Sequence, residues 1–275
     1  MIEDKHFIPV QPEMVYKTED YLEIKPKSKN IALYYQFKVK KGATNTFSVL
    51  PDGCFDILFC CSPSKPCAFL WTSPLKRTTP YLADGCEYFG VRFFPEQSVI
   101  KLEYSMSELL AKKIPLIDVF AMDSFIVEKI GAGKSIDERI KFFEKFIEST
   151  VSEFRYDRNI VEYSINKIYS SKGTIKVNRL SEDTGYSTRY IRNKFEFFIG
   201  FSPKQFIEIV KFQNSIDMIL KTNDYKLTDI VHENGYYDQS HFIKMFKRLA
   251  HLPPFQLKKS IEALNIENLE KGQRG

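Results

Sequence analysis

Histidine and tryptophan are scarce in this sequence, with four and one among 275 residues, and that shortage limits the chemistry the chain can do. Iron, manganese, nickel and zinc centres built on imidazole need several histidines. The first half offers only His6, ahead of the strand region, so no metal and no other cofactor is expected. Cysteine is also sparse: Cys54, Cys60, Cys61, Cys67 and Cys86 all lie in the first third. An odd number without a Cys-x-x-Cys pair argues against a disulfide framework and against a zinc chelate. Cys60 and Cys61 are adjacent and point to opposite faces of a strand, and inert, reduced thiols are the expectation. No stretch approaches the roughly 18 apolar residues of a membrane span. The opening MIEDKHFIPV carries acids where a secretory signal needs a basic and then an apolar stretch. A soluble cytoplasmic protein with no membrane partner is therefore expected. A phosphate-cradling glycine loop and any Ser/His/Asp or paired-carboxylate spacing are missing too, so the chain is not expected to be an enzyme.

Aromatics, by contrast, are abundant. With 24 Phe, 15 Tyr and an apolar share of 43%, the chain can bury a sizeable core, and its length suits two domains. Charge is unevenly spread. Residues 165–260 hold 16 Lys/Arg and 9 Asp/Glu, a surplus of +7 that leaves −2 for the rest of a chain of net charge +5. That is the pattern of a protein whose C-terminal half meets a polyanion, although a basic excess of this size is more often a solvated surface.

The first hundred residues read as β. Ile31, Leu33, Tyr35, Phe37 and Val39 alternate with Ala32, Tyr34, Gln36, Lys38 and Lys40, a period of two. Short apolar runs follow at 55–60, 68–72 and 88–94, separated by Pro51-Asp52-Gly53, Ser62-Pro63-Ser64 and Asp84-Gly85. Such spacing implies a sandwich or small barrel. Helical patterns begin at 105–110, with Ser107 as the expected N-cap, and continue at 136–151, where Ile140, Phe143, Ile147 and Val151 recur at three- and four-residue steps. The polar stretch 152–157 marks a boundary. The expected organisation is α+β: a β-rich domain with trailing helices over 1–155, an all-α domain over 158–260, and a polar tail over 261–275.

The all-α part contains a repeat. LSEDTGYSTRYIRNKFEFFIGFSPKQF (180–206) and IVHENGYYDQSHFIKMFKRLAHLPPFQ (230–256) each hold a short helix, a glycine, a polar capping position, a second helix and a proline-containing stop. Gly185 and Gly235 supply the positive φ of a tight helix-turn-helix corner. Ser187 and Asp238 can cap the following helix. Core positions recur as Ile191, Phe195 and Phe198, and as Phe242, Phe246 and Leu249, leaving Arg189, Arg192 and Asn193, and Gln239, Ser240 and Lys244, on the outer faces. These side-chain types hydrogen-bond base edges and phosphates. Between the units, a helix from Pro203 to Leu220, capped by Ser202, spans about 27 Å at 1.5 Å per residue.

The segments G-Y-S-T-R-Y-I-R-N-K-F, G-F-S-P-K-Q-F and G-Y-Y-D-Q-S-H-F-I-K-M-F-K-R, within about 160–258, resemble the DNA-binding domain of the AraC/XylS family of transcription regulators. The resemblance implies two helix-turn-helix units joined by a linker helix that bind double-stranded DNA sequence-specifically. It places Arg189, Arg192 and Asn193, then Gln239, Ser240 and Lys244, where the family's recognition helices face bases, and Thr188 is a further expected DNA contact. Lys194, Lys204, Lys247 and Arg248 read as phosphate contacts, and His241 as a phosphate contact or a half-buried structural residue. The plainer readings are solvated charges for the basic residues and helix capping for Gln239 and Ser240. Two positions depart from the pattern: His251 stands where the family has glycine, and Val231 where it has alanine. The strand-rich half, by the same resemblance, is a cupin-like sensor. Its segments P-D-G-C-F-D-I and G-V-R-F-F-P resemble a subgroup whose small β-barrel has no assigned ligand. Tyr35, Trp71 and Arg92 are candidate pocket residues, while Asp56 and Arg92 read more simply as an ion pair closing the barrel. The implied partners are promoter DNA, RNA polymerase and a small-molecule effector; helices 105–151 either pair two copies of the chain or only pack on the barrel. Two other readings compete: a cupin-like enzyme with the helical half as a docking module, and a single-strand binder that stacks bases on its aromatics.

Overall fold

The computed structural model describes residues 9–42, 47–62, 64–97, 99–100, 102, 104–119, 124–150, 159–221 and 226–272. Helix α1 (Pro12–Lys17) leads into six strands: β1 (Glu19–Ile24), β2 (Ile31–Lys38), β3 (Phe55–Cys60), β4 (Cys67–Thr72), β5 (Glu87–Phe93) and β6 (Lys113–Pro115). All neighbouring pairs are antiparallel, in the order β1-β2-β5-β3-β4-β6. The short α2 (Met106–Leu109) precedes β6, and α3 (Ser124–Ala132) and α4 (Ile136–Thr150) follow it. The α+β class stands. Among the described residues β1 and β6 are not paired with each other, so the sheet has two edges.

Alternation along the strands feeds two cores rather than one. Tyr34, Phe55, Ile57, Phe59, Phe89, Val91 and Phe93 face α3 and α4, meeting Ile126, Ile130, Ile140 and Phe143. Tyr35, Phe37, Leu58, Cys60 and Tyr88 face the other way, onto Met14, Phe47, Val49 and Leu82. Ile31 joins the first group despite its place in the alternating series, because the β2–β5 register shifts between Ile31 and Leu33. Both faces are covered, so strand polarity is low and β3 is buried along its whole length. The cap at 105–110 is Ser105 and not Ser107: the Glu108 carboxylate accepts from the Ser105 N–H at 2.9 Å, a reciprocal capping arrangement.

The helical half comprises α5 (Asn159–Ser170), α6 (Val177–Thr184), α7 (Thr188–Ile199), α8 (Pro203–Lys221), α9 (Leu227–Glu233), α10 (Gln239–Ala250) and α11 (Pro254–Gly272). The boundary expected at 152–157 lies outside the described residues. The expected polar tail begins inside α11, where Ile261 is buried. α8 starts at Pro203 behind Ser202, whose hydroxyl accepts from the Gln205 N–H at 3.3 Å. Phe206, Ile209 and Val210 at its start pack into one core with Leu180, Ile191 and Phe195. Phe212, Ile216 and Ile219 farther along pack into another with Ile230, Phe242 and Phe246. One helix thus serves as a wall of both units.

The two halves are bonded together. Gln213 of α8 accepts from the Val10 N–H and donates to the Pro51 carbonyl, both at 2.8 Å and the second fully buried. The Arg77 N–H donates to the Leu249 carbonyl in the last turn of α10 at 2.7 Å. α2 packs on α7, and a Cβ added at Gly200, the C-cap of α7, would come within 2.9 Å of the Met106 carbonyl oxygen. Among the described residues no helix is long and apolar enough to cross a membrane.

Candidate nucleic-acid interface

Each helix-turn-helix corner is built as its sequence requires. α6 ends at Gly185, whose φ of 72° puts it in the left-handed region, and its N–H returns to the Ser181 carbonyl. The Ser187 hydroxyl then accepts from the Tyr190 N–H at 3.2 Å and starts α7. In the second unit Gly235 has φ 61°, and the Asp238 carboxylate accepts from the His241 N–H at 2.7 Å to start α10. The spacer helix braces this second corner. Lys211 Nζ donates to the Gly235 carbonyl at 2.8 Å, and the Ser215 and Tyr236 hydroxyls lie 3.1 Å apart. Burial holds the Lys211 amine below its ordinary pKa, with Glu208 pulling the other way. Burial likewise pushes the Tyr236 phenol up. α10 closes on His251 at φ 55°, so the residue standing at the glycine position of the family pattern does adopt the left-handed turn. Val231 is half-buried against the second core.

The inward residues of both recognition helices are sealed, with Ile191, Phe195, Phe242 and Phe246 at 0% exposure and Phe198 only half-buried. The other face is open. Thr188, Arg189, Arg192, Asn193, Lys204, Gln239, Ser240, His241, Lys244, Lys247 and Arg248 are all exposed, and Lys194 is half-buried. Among the described residues, the side chains of Arg189, Asn193, Lys204, Gln239, Lys244 and Lys247 make no hydrogen bond or ion pair. Arg192 pairs with Glu196 at 2.7 Å and Arg248 with Glu208 at 2.6 Å. Such exposed pairs contribute about 0–1 kcal/mol, so a phosphate can compete for either arginine. His241 is exposed, its ring edge-on to Tyr236 at 6.0 Å. Three tyrosines that the sequence did not single out also stand at this surface. Tyr186 and Tyr190 stack at 4.8 Å, with Lys194 Nζ 5.6 Å from the Tyr190 ring centre. Tyr237, immediately before the cap of α10, is 91% exposed. Only its position beside a helix N-terminus, not periodicity, could have flagged it.

The strand-domain candidates come together on one sheet face. Arg92, Asp56 and Trp71 are cross-strand partners on β5, β3 and β4, and the Arg92 guanidinium lies 5.7 Å from the Tyr35 ring centre. Arg92 is closed in, donating to both Asp56 oxygens at 2.9 and 3.2 Å, with Asp52 at 3.5 Å. Burial opposes its charge, but Asp56 and Asp52 raise its pKa further still. This is the ion pair expected from the sequence. Tyr35 is fully buried, and Trp71 is half-buried. Among the described residues no group of three or more His, Cys, Asp or Glu is arranged to hold a metal ion.

Two corners of the same build, sharing a helix and turning cation-rich, capped recognition helices outward, define a double helix-turn-helix protein. A family model and a curated relative agree on the helix-turn-helix. Residues 180–260 match the model of a helix-turn-helix domain, and residues 25–115 match a domain of unknown function (DUF6597). Over 85 residues the chain is 32% identical to an uncharacterized HTH-type transcriptional regulator of Haemophilus influenzae; the match covers 31% of this chain and 28% of that relative's length. Solved structures of ToxT from Vibrio cholerae are similar in outline. One at 1.65 Å is 14% identical with a TM-score of 0.45, covering 84% of this chain and 98% of that one, and one bound to an unsaturated fatty acid is 15% identical with a TM-score of 0.43, covering 86% and 97%. Residues 180–260 are thus similar to known helix-turn-helix domains, and the AraC-like segments read from the sequence lie largely within that stretch.

Proposed function

We propose that this protein binds double-stranded DNA sequence-selectively and regulates transcription from the promoters it occupies, acting in the cytoplasm on RNA polymerase. The observation that carries the reading is the pair of exposed recognition faces on α7 and α10, held by one shared helix. Arg189, Arg192 and Asn193, with Gln239, Ser240 and Lys244, read base edges, and Lys194, Lys204, His241, Lys247 and Arg248 hold phosphates. The strand domain is the seat of control by a small molecule, because its bonds to α8 and α10 give any shift of the sheet a route to the recognition helices. Helices α2–α4 are the surface for a second copy. The domain limits 1–155 and 158–260 complete the proposal.

Selection of bound duplexes from a random library tests it: enrichment of one motif, with affinity falling steeply as salt rises, is expected from counterion release. Failure to enrich any motif would falsify sequence-selective binding.

A further inference from the structure

Three of the five thiols converge at one end of the sheet, where the sequence gives no hint of it. Cys60 ends β3 directly opposite Cys67, the first residue of β4. Antiparallel partners of this kind have Cα atoms about 4.5–5.5 Å apart, inside the roughly 4.4–6.8 Å of natural disulfides. Cys86, just ahead of β5, packs into the same cluster, its carbonyl fixed by the Val39 N–H at 2.9 Å. On its other side Cys60 lies opposite Tyr88 of β5, two residues along from Cys86, so Cys86 is its diagonal neighbour on the same face. Cys60 is buried, whereas Cys67 and Cys86 are half-exposed. Cys61 belongs to the core on the opposite face of the sheet.

We propose that Cys60 and Cys67 are a thiol pair that closes to a disulfide when the chain meets a low-molecular-weight disulfide, with Cys86 as the alternative partner of Cys60. The Cys67 thiolate attacks the small S–S bond, forming a mixed disulfide and releasing one thiolate. Cys60 gives up its proton, attacks the Cys67 sulfur and expels the second thiol. Two electrons pass from the cysteines to the small disulfide, which leaves as two thiols. Lys113 and Lys65 lie near Cys67 and favour approach of an anionic disulfide, although burial outweighs them and pushes the Cys67 thiol up to about 11. Closure is therefore slow at neutral pH and quickens as rising pH increases the thiolate fraction.

The test equilibrates the full-length protein with glutathione buffers of increasing oxidised fraction, followed by acid quench, alkylation and peptide mass analysis. Two of five thiols are expected to become protected, with the 60–67 linkage in the digest. Cys60→Ala should abolish the linkage, Cys67→Ser should divert it to 60–86, and Cys61→Ser should leave it unchanged. Cys67→Ser lies at a half-exposed position, so the diversion can be read even if Cys60→Ala fails to fold. Five alkylated thiols at every buffer ratio, glutathione adducts without an internal link, or protection that survives Cys60→Ala overturns the proposal.

Discussion

His251 bends the chain at φ 55°, where a side chain is least welcome, and a single substitution measures the strain. A non-glycine residue in the left-handed region costs about 1 kcal/mol, so His251→Gly is expected to stabilise the protein by about 0.5–1 kcal/mol in urea titrations, glycine's extra unfolded freedom taking back part of the gain. On the outer faces the same scale separates readers from holders. Arg189 and Asn193 are unengaged and sit on the open side of α7; alanine at either should cost about 1–3 kcal/mol on the selected motif and little on scrambled duplex. Lys204→Ala, in contrast, should weaken all duplexes alike and lower the salt slope by about one. Competition titrations at several salt concentrations check both, and equal losses on motif and scrambled DNA would demote Arg189 and Asn193 to phosphate contacts.

At the scale of elements, two glycines with the same backbone hand answer to different neighbours. Gly185 has open space around its missing Cβ, so Gly185→Ala carries only the left-handed penalty of about 1 kcal/mol. Gly200 faces the Met106 carbonyl oxygen and Leu110, and Gly200→Ala must push α2 from α7; its loss in denaturant titration should exceed that of Gly185→Ala by 1 kcal/mol or more. The contrast also explains what a reader of the sequence can reach. Ser187, Asp238, Gly185 and Gly235 were legible because a cap or a positive φ is decided within three or four residues. So were β2 to β5, whose runs are long and apolar. β1 was not: EDYLEI has no clean alternation, Asp20 sits at φ 50°, and five of its six residues are exposed. The role of Gly200 was invisible because its neighbour Met106 lies far away in sequence. At the site, the outward cations followed from helical spacing, whereas Tyr186, Tyr190 and Tyr237 did not, because aromatics are usually buried.

Across the whole molecule, the strand domain and the helical half share buried polar groups that act as rivets. Gln213→Ala would leave the Val10 N–H and Pro51 carbonyl without partners, each at about 1–3 kcal/mol, and is expected to split a single thermal transition into two as the halves uncouple. Glu13 is a second rivet, taking hydrogen bonds from Lys17, the Ser48 N–H and Arg77, whose own N–H holds α10. Burial pushes its carboxyl up, but Lys17 and Arg77 outweigh that and leave it below the ordinary 4.5. A depressed carboxylate stabilises fully above the unfolded value and ceases to do so as pH falls through the folded one. Acidification below about pH 4.5 should therefore loosen wild type more steeply than Glu13→Gln, as followed by denaturant midpoints between pH 3 and 7. On the proposed function, the wall shared through α8 would make the protein a bivalent DNA ligand on a stiff frame. Once one recognition helix is seated, the other meets its half-site at high effective concentration, but only when the operator is in phase. One inserted base pair moves the far half-site by about 3.4 Å and turns it by about a tenth of a helical turn, and a single 19-residue helix has no joint with which to follow. Under that proposal, such a frame would proofread the distance between two short words as strictly as it reads their letters.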